Sequence, residues 1–272
     1  MHGADLKTLA PAVADIARRA GEAILTVYGD EFDVARKADD SPVTEADLAS
    51  HDVIVEALAK LTPGVPVLSE EDAAIPFETR SAWREYWLVD PLDGTKEFVS
   101  RNGEFTVNIA FVSDHAPVLG VVLVPLSGAC YCGVTGHGAT LQEGGRPARA
   151  IQVRIPHAYP IVVVGSRSHA NPRLEEHLQG LGEYELVTMG SSLKCCLVAE
   201  GKADFYPRLG HTFEWDTAAA HAVVAAAGGR LLKLDGSPLE YNRKESLLNP
   251  EFLVIGDPSV DYLSLFSNYI SA

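Results

Sequence analysis

The chain has 272 residues, 47% of them hydrophobic and 22% charged, a balance typical of globular proteins, and its length suits one large domain or two packed ones. With 37 acids against 22 bases, the formal charge is −15, which argues against a nucleic-acid polymer as partner because phosphate backbones require a basic footprint. A small phosphorylated ligand remains compatible if cations bridge the two negative partners.

Met1-His2-Gly3-Ala4-Asp5 has neither the basic nor the apolar region of a signal peptide. No run approaches the ~18 apolar residues of a membrane span, so the expected compartment is the cytoplasm. The four cysteines are Cys130, Cys132, Cys195 and Cys196. They have neither zinc-ligand spacing nor the pattern of a disulfide framework, and are expected as buried reduced thiols.

In chain order, Leu6, Leu9, Val13, Ile16, Ala17, Ala20, Ile24 and Val27 recur at helical spacing. A second helix starts near Thr44, where Thr44 and Asp47 have capping-box spacing, and Pro63-Gly64 ends it. Five apolar runs then read as strands: 65–68, 86–89, 105–112, 118–124 and 129–134. Beyond residue 155 the pattern alternates, with strands at 161–164, 184–188 and 203–206 and helices at 172–181, 192–200 and 217–227. The fold class expected is α/β: parallel or mixed sheet covered by helices, in two packed lobes spanning 1–155 and 156–272.

Acids mark the strand ends and helix starts, where α/β proteins place ligand chemistry. Asp47 lies in "SPVTEAD", Glu70 and Glu71 in "LSEED", Asp90 and Asp93 in "VDPLDGTKEF", and Asp216 in "FEWDTAA". Each has a local explanation: a helix N-cap for Asp216, a first-turn acid for Asp47, a solvated loop for the glutamates, and a turn for Asp93-Gly94. As a set, clustered carboxylates repel one another and need cations. Oxygen donors without a His/Cys set suit magnesium rather than zinc. The Leu92 carbonyl is a further candidate oxygen, and the Gly94 and Thr95 N–H groups could hold a phosphate oxygen.

"SEED", "VDPLDGTKEF" and the downstream "WDTAAAHAVVAAAGG" together resemble the inositol monophosphatase superfamily, as do "SPVTEAD", "NGEFTVNIA", "GSRSHAN" and "GSSLKCCLVAEGKADFYPR". These are magnesium-dependent, lithium-sensitive phosphomonoesterases. "DGTKEF", "GSSLK" and "YPR" are most similar to the 3′(2′),5′-bisphosphate nucleotidase branch, whereas inositol phosphatases usually carry Asn-Phe after "DGT". The resemblance implies removal of the 3′-phosphate of 3′-phosphoadenosine 5′-phosphate to leave AMP, with the 5′-phosphosulfate as a second substrate and a place in sulfur assimilation. Some relatives associate with the cytoplasmic face of the inner membrane.

By the same resemblance, Glu70, Asp90, Asp93, Asp216 and the Leu92 carbonyl hold two or more magnesium ions. Thr95, oriented by Asp47, positions and helps deprotonate the attacking water, and Glu71 assists either from the metal's surroundings or as a ligand of a weakly held metal. Gly94 and Thr95 hold the phosphate, while His169, Ser191, Lys194 and Arg208 contact the nucleotide. A haloacid-dehalogenase-type phosphatase is excluded because Pro91 stands where its nucleophilic aspartate belongs. An inositol or sugar-phosphate phosphatase on the same scaffold, and a non-catalytic nucleotide sensor, are the alternatives.

Overall fold

The computed structural model describes residues 6–29, 35–36, 42–43, 45–167, 174 and 177–266. Thr44 and His169 lie outside them, so neither the Thr44 cap nor the His169 contact is described. Helix α1 (Leu6–Tyr28) buries Leu9, Val13, Ile16, Ala17, Ala20 and Ile24, the stripe its periodicity predicts. It packs against α2 (Glu45–Leu61) and the first large sheet. Between the helices, β1 (Ala35–Arg36) and β2 (Pro42–Val43) form a short antiparallel pair, and a one-turn helix, α3 (Phe77–Arg80), follows α2 in the chain.

The first large sheet comprises β3 (Val67–Ser69), β4 (Glu85–Asp93), β5 (Thr106–Ser113), β6 (Ala116–Val124), β7 (Ala129–Val134), β8 (Gly138–Gln142) and β9 (Arg149–Ile151), in that spatial order. Only β3 and β4 run parallel; every other neighbouring pair is antiparallel. Side chains alternate between its faces. Trp87, Val89, Ile109, Phe111 and Val121 join the core under α1 and α2, while Tyr86, Leu88, Ala110, Val112 and Val122 face the opposite core.

The second large sheet is β11-β10-β12-β14-β13, made of β10 (Ile161–Ser166), β11 (Tyr184–Met189), β12 (Phe205–Arg208), β13 (Arg230–Lys233) and β14 (Phe252–Ile255). It is mixed: β10 pairs in parallel with β11 and β12, whereas β14 runs antiparallel to β12 and β13. Strand β12 lies two residues later than its apolar run suggests, because the pairing with β14 extends through Pro207 and Arg208. Between the two sheets lie α5 (Leu193–Ala199) and α6 (Glu214–Ala226), whose apolar residues share one core with both. A third core, with Phe205, Leu253, Tyr262 and Phe266, covers the outer face of the second sheet. The layers therefore alternate helix, sheet, helix, sheet, with a final cover that includes Leu178.

Two glycines set how closely α6 approaches the first sheet. A Cβ on Gly120 would stand 2.1 Å from the Ala219 carbonyl oxygen, and one on Gly133 would stand 2.5 Å from Val223 Cα. The helix backbone rests directly on β6 and β7 there, and this fixes the position of the helix start that carries Asp216.

Candidate active site

Asp90 and Asp93 are three residues apart, an odd spacing that would send them to opposite faces of a regular strand. The β4–β5 register resolves this. Asp90 pairs with Asn108 and Asp93 with Thr106, so three steps on β4 match two on β5. The extra residue is a bulge at Pro91-Leu92, where Pro91 has no N–H to offer the ladder. The Pro91 carbonyl accepts the Ser50 hydroxyl at 2.8 Å, and the Leu92 N–H donates to Asp90 Oδ1 at 3.0 Å. The bulge is thus held from α2 and by Asp90 itself.

Three separate segments bring carboxylates to this point. Glu70 opens the 3-10 turn Glu70–Asp72 after β3, Asp90 comes from β4, and Asp216 from the first turn of α6. One oxygen from each lies within 4.8 Å of the others. Asp216 is not the N-cap that the sequence suggests. The helix begins at Glu214, and the Asp216 carboxylate reaches back to accept the Phe213 N–H at 2.9 Å, satisfying a helix-end donor. That bond aims the carboxylate at the start of the helix.

Burial, then the charges of Glu70, Asp93, Asp216 and Asp47, push the Asp90 carboxyl well above the usual carboxylate range. Burial, with Asp93 and Glu70, does the same to Asp216. Asp90 and Asp216, which resist ionisation, together with the Glu70 carboxylate make an all-oxygen, hard-cation donor set, so the residues present fit a divalent metal. Asp93 is placed differently. Its Oδ2 accepts the Ser192 N–H at 2.5 Å, and Lys194 partly offsets the rise that burial imposes on its carboxyl.

These residues line a cleft of about 910 Å³ that also includes Leu92, Gly94, Thr95, Ser191, Lys194 and Arg208. Gly94 has φ +91°, a left-handed conformation natural to glycine, and leads into α4 (Thr95–Val99). Asp47 is buried, does not line the cleft and acts on Asp90 through its charge, while Glu71 shares the turn of Glu70 without lining the cleft. Lys194 donates to the Ser191 carbonyl and lies 5.7 Å from the Tyr206 ring centre. Burial pulls its ammonium down, and Asp93 supports it. Arg208 donates to the His211 carbonyl at 2.6 Å, and its Nε is buried without a hydrogen-bond partner.

Cys195 also lines the cleft, but burial pushes its thiol up to about 12. It stays protonated near neutral pH and is a poor nucleophile. Cys130, Cys132 and Cys196 are likewise free thiols. Sequence reasoning missed Glu97, which is 5% exposed and lines the cleft. It also missed Thr106, Asn108 and Ser192, which share hydrogen bonds beside Asp93. The signals were present: Glu97 is the second acid of "DGTKEF", and Asn108 pairs with Asp90 across the sheet. Among the described residues, no helix is long and apolar enough to cross a membrane.

Residues 5–256 match the inositol monophosphatase family, to which the chain belongs, so the class of protein is a phosphatase. It is 53% identical over 244 residues to the 3′(2′),5′-bisphosphate nucleotidase CysQ of Escherichia coli strain K12, covering 89% of this chain and 97% of that protein. The corresponding protein of Aggregatibacter actinomycetemcomitans is 42% identical, over 89% of this chain and 90% of its own length. Among solved structures, CysQ from Bacteroides thetaiotaomicron superposes with a TM-score of 0.81 at 43% identity, covering 92% of this chain and 97% of that one. An inositol monophosphatase from Anabaena shares the fold at 23% identity, with a TM-score of 0.77 over 99% and 98% of the two chains.

Proposed function

We propose that the chain is a 3′(2′),5′-bisphosphate nucleotidase that hydrolyses the 3′-phosphate of 3′-phosphoadenosine 5′-phosphate to AMP and phosphate in the cytoplasm. The 5′-phosphosulfate is a second substrate, and sulfur assimilation is the setting. The observation that carries this reading is one cleft holding both the acidic triad and the cations Lys194 and Arg208. A substrate with two phosphates needs both kinds of site: oxygen ligands for cations at the reacting phosphate, and fixed cations for the other.

When bound, magnesium would be held by Glu70, Asp90, Asp93, Asp216 and the Leu92 carbonyl, supplying charge neutralisation and a lower water pKa. The chain's own residues do the rest. The N–H groups of Gly94 and Thr95 orient the reacting phosphate. The Thr95 hydroxyl, oriented by Asp47, positions the attacking water and relays its proton, with Glu71 supporting the turn that carries Glu70. Ser191, Lys194 and Arg208 hold the nucleotide. Catalysis in this reading is mainly positioning and electrostatics. Residues 1–155 then form the metal- and phosphate-binding lobe, and 156–272 the substrate-binding lobe.

The test is phosphate release with magnesium from 3′-phosphoadenosine 5′-phosphate and from inositol 1-phosphate, each with and without lithium. Strong preference for the nucleotide, lost with lithium or a chelator, is expected. Preference for inositol phosphate would overturn the substrate reading while leaving the acidic site in place. Turnover of neither would overturn the enzymatic reading.

A further inference from the structure

The loop Gly190-Ser191-Ser192, which joins β11 to α5, is bonded on both sides of Ser191 by residues of the other sheet and its flanks. The Ser192 N–H donates to Asp93, and the Ser192 hydroxyl bonds Asn108 Oδ1 at 2.8 Å. The Gly190 N–H donates to Glu104 Oε2 at 2.7 Å. The same Glu104 carboxylate receives a two-pronged contact from Arg167, with Nε to Oε2 and Nη2 to Oε1 both at 2.7 Å. Arg167 follows β10, and its Nη2 also donates to the Thr188 carbonyl at 3.0 Å, while its backbone N–H donates to Met189. One ion pair therefore ties the ends of β10 and β11 to the segment leading into β5.

The loop is tightly seated. A Cβ on Gly190 would stand 2.6 Å from Glu97 Cγ and 3.0 Å from both Glu104 Cβ and the Glu104 carbonyl oxygen. Ser191 sits at φ +46°, a left-handed conformation that costs energy for a residue other than glycine. Its carbonyl accepts the Lys194 ammonium. A strained residue persists only where its surroundings over-determine it, and here the bonds at Gly190 and Ser192 bracket it on both sides. The geometry of Ser191 and Lys194 thus depends on Glu104.

We infer that Glu104 and Arg167 are positioning residues: through Gly190 they hold Ser191 and Lys194 where the second phosphate of the substrate is read. The inference rests on the nucleotidase reading of that loop. The Arg167 side chain is 44% exposed and that of Glu104 18%, so the ion pair itself adds little to stability, and only Glu104→Ala, which also removes the acceptor of the Gly190 N–H, carries a separate stability cost. What the pair supplies is geometry, and its loss in Arg167→Met should register in recognition before it registers in melting.

The experiment compares the full-length wild type with Glu104→Ala, Glu104→Gln and Arg167→Met, all with magnesium. The two substrates are adenosine 3′,5′-bisphosphate and adenosine 3′-monophosphate, which lacks the second phosphate. The expected result for Glu104→Ala and Arg167→Met is a KM for the bisphosphate raised about tenfold, equivalent to about 1.4 kcal/mol, with kcat retained and both constants for the monophosphate unchanged. Glu104→Gln keeps an acceptor for the Gly190 N–H and should fall between these variants and the wild type. Unchanged bisphosphate KM in folded variants, or a parallel loss on both substrates, overturns the inference. A wild type that does not prefer the bisphosphate overturns the nucleotidase reading of the loop, and the positioning role with it. Should Glu104→Ala fail to fold, Glu104→Gln and Arg167→Met carry the same comparison.

Discussion

Asp93 and Ser192 are 99 residues apart in the chain, yet the Asp93 carboxylate accepts the Ser192 N–H at 2.5 Å. The bond joins the bulged strand that carries two aspartates to the loop that leads into α5. It makes Asp93 both a member of the acidic site and a structural acceptor, two roles that substitution can separate. Asn retains an acceptor oxygen and Ala does not. Asp93→Asn should therefore lose turnover yet remain folded, whereas Asp93→Ala should also lose about 1–3 kcal/mol of stability from the unsatisfied N–H. Urea unfolding beside phosphate-release assays separates the two, and equal stability of the two variants would count against the structural role.

Metal removal should expose the repulsion within the triad. Because Asp90 and Asp216 have raised pKa values in the fold, the folded protein holds protons that the unfolded chain releases above its ordinary value of 3.8. Their contribution to stability is complete below that value and is lost as pH rises toward the folded pKa. Chelated wild type should thus melt lower at about pH 8 than at about pH 5, and Asp90→Asn should recover part of that loss at the higher pH. Activity in that variant should be abolished. Melting curves with chelator, with and without added magnesium, are the check.

Close backbone approach at Gly120 and Gly133 links packing to the site. Gly120→Ala or Gly133→Ala forces a Cβ into α6 and should cost about 1–3 kcal/mol. Since the start of that helix carries Asp216, kcat should fall alongside stability. Full activity in a stably folded Gly120→Ala protein would show that the helix can shift without moving the carboxylate.

His221 gives a second pH dependence, of opposite sign. Burial lowers its imidazolium pKa from 6.5 to about 4, and its Nδ1 shares a hydrogen bond of 3.0 Å with the Tyr241 hydroxyl. The unfolded chain takes up a proton below 6.5 that the folded one refuses until about 4, so this contribution is present above 6.5 and lost as pH falls through that window. His221 as a whole is half-buried, which limits the effect to about 1–2 kcal/mol. His221→Gln should flatten the acid side of the stability profile, measured by urea unfolding across the window.

The sequence by itself determined the longer, periodic elements and the residue types of the acidic set. Helical spacing from Leu6 to Val27 and the apolar runs of β4 to β7 are local patterns, so they are legible without the fold. The residue types at Glu70, Asp90, Asp93 and Asp216 pointed to hard-cation chemistry for the same reason. Only the tertiary structure decided the geometry. In sequence, Asp90 and Asp93 have the wrong parity to share a strand face, and the bulge against β5 corrects it. Asp216 reads locally as an N-cap, yet the helix starts earlier because Phe213 finds the Asp216 carboxylate and Glu214 bonds the Leu247 carbonyl. The pairing of Glu104 with Arg167 and Gly190 crosses from one sheet to the other, and no periodicity records a contact whose partners lie so far apart along the chain. Hydrogen bonds and charges depend on distance in space, and folding alone sets those distances.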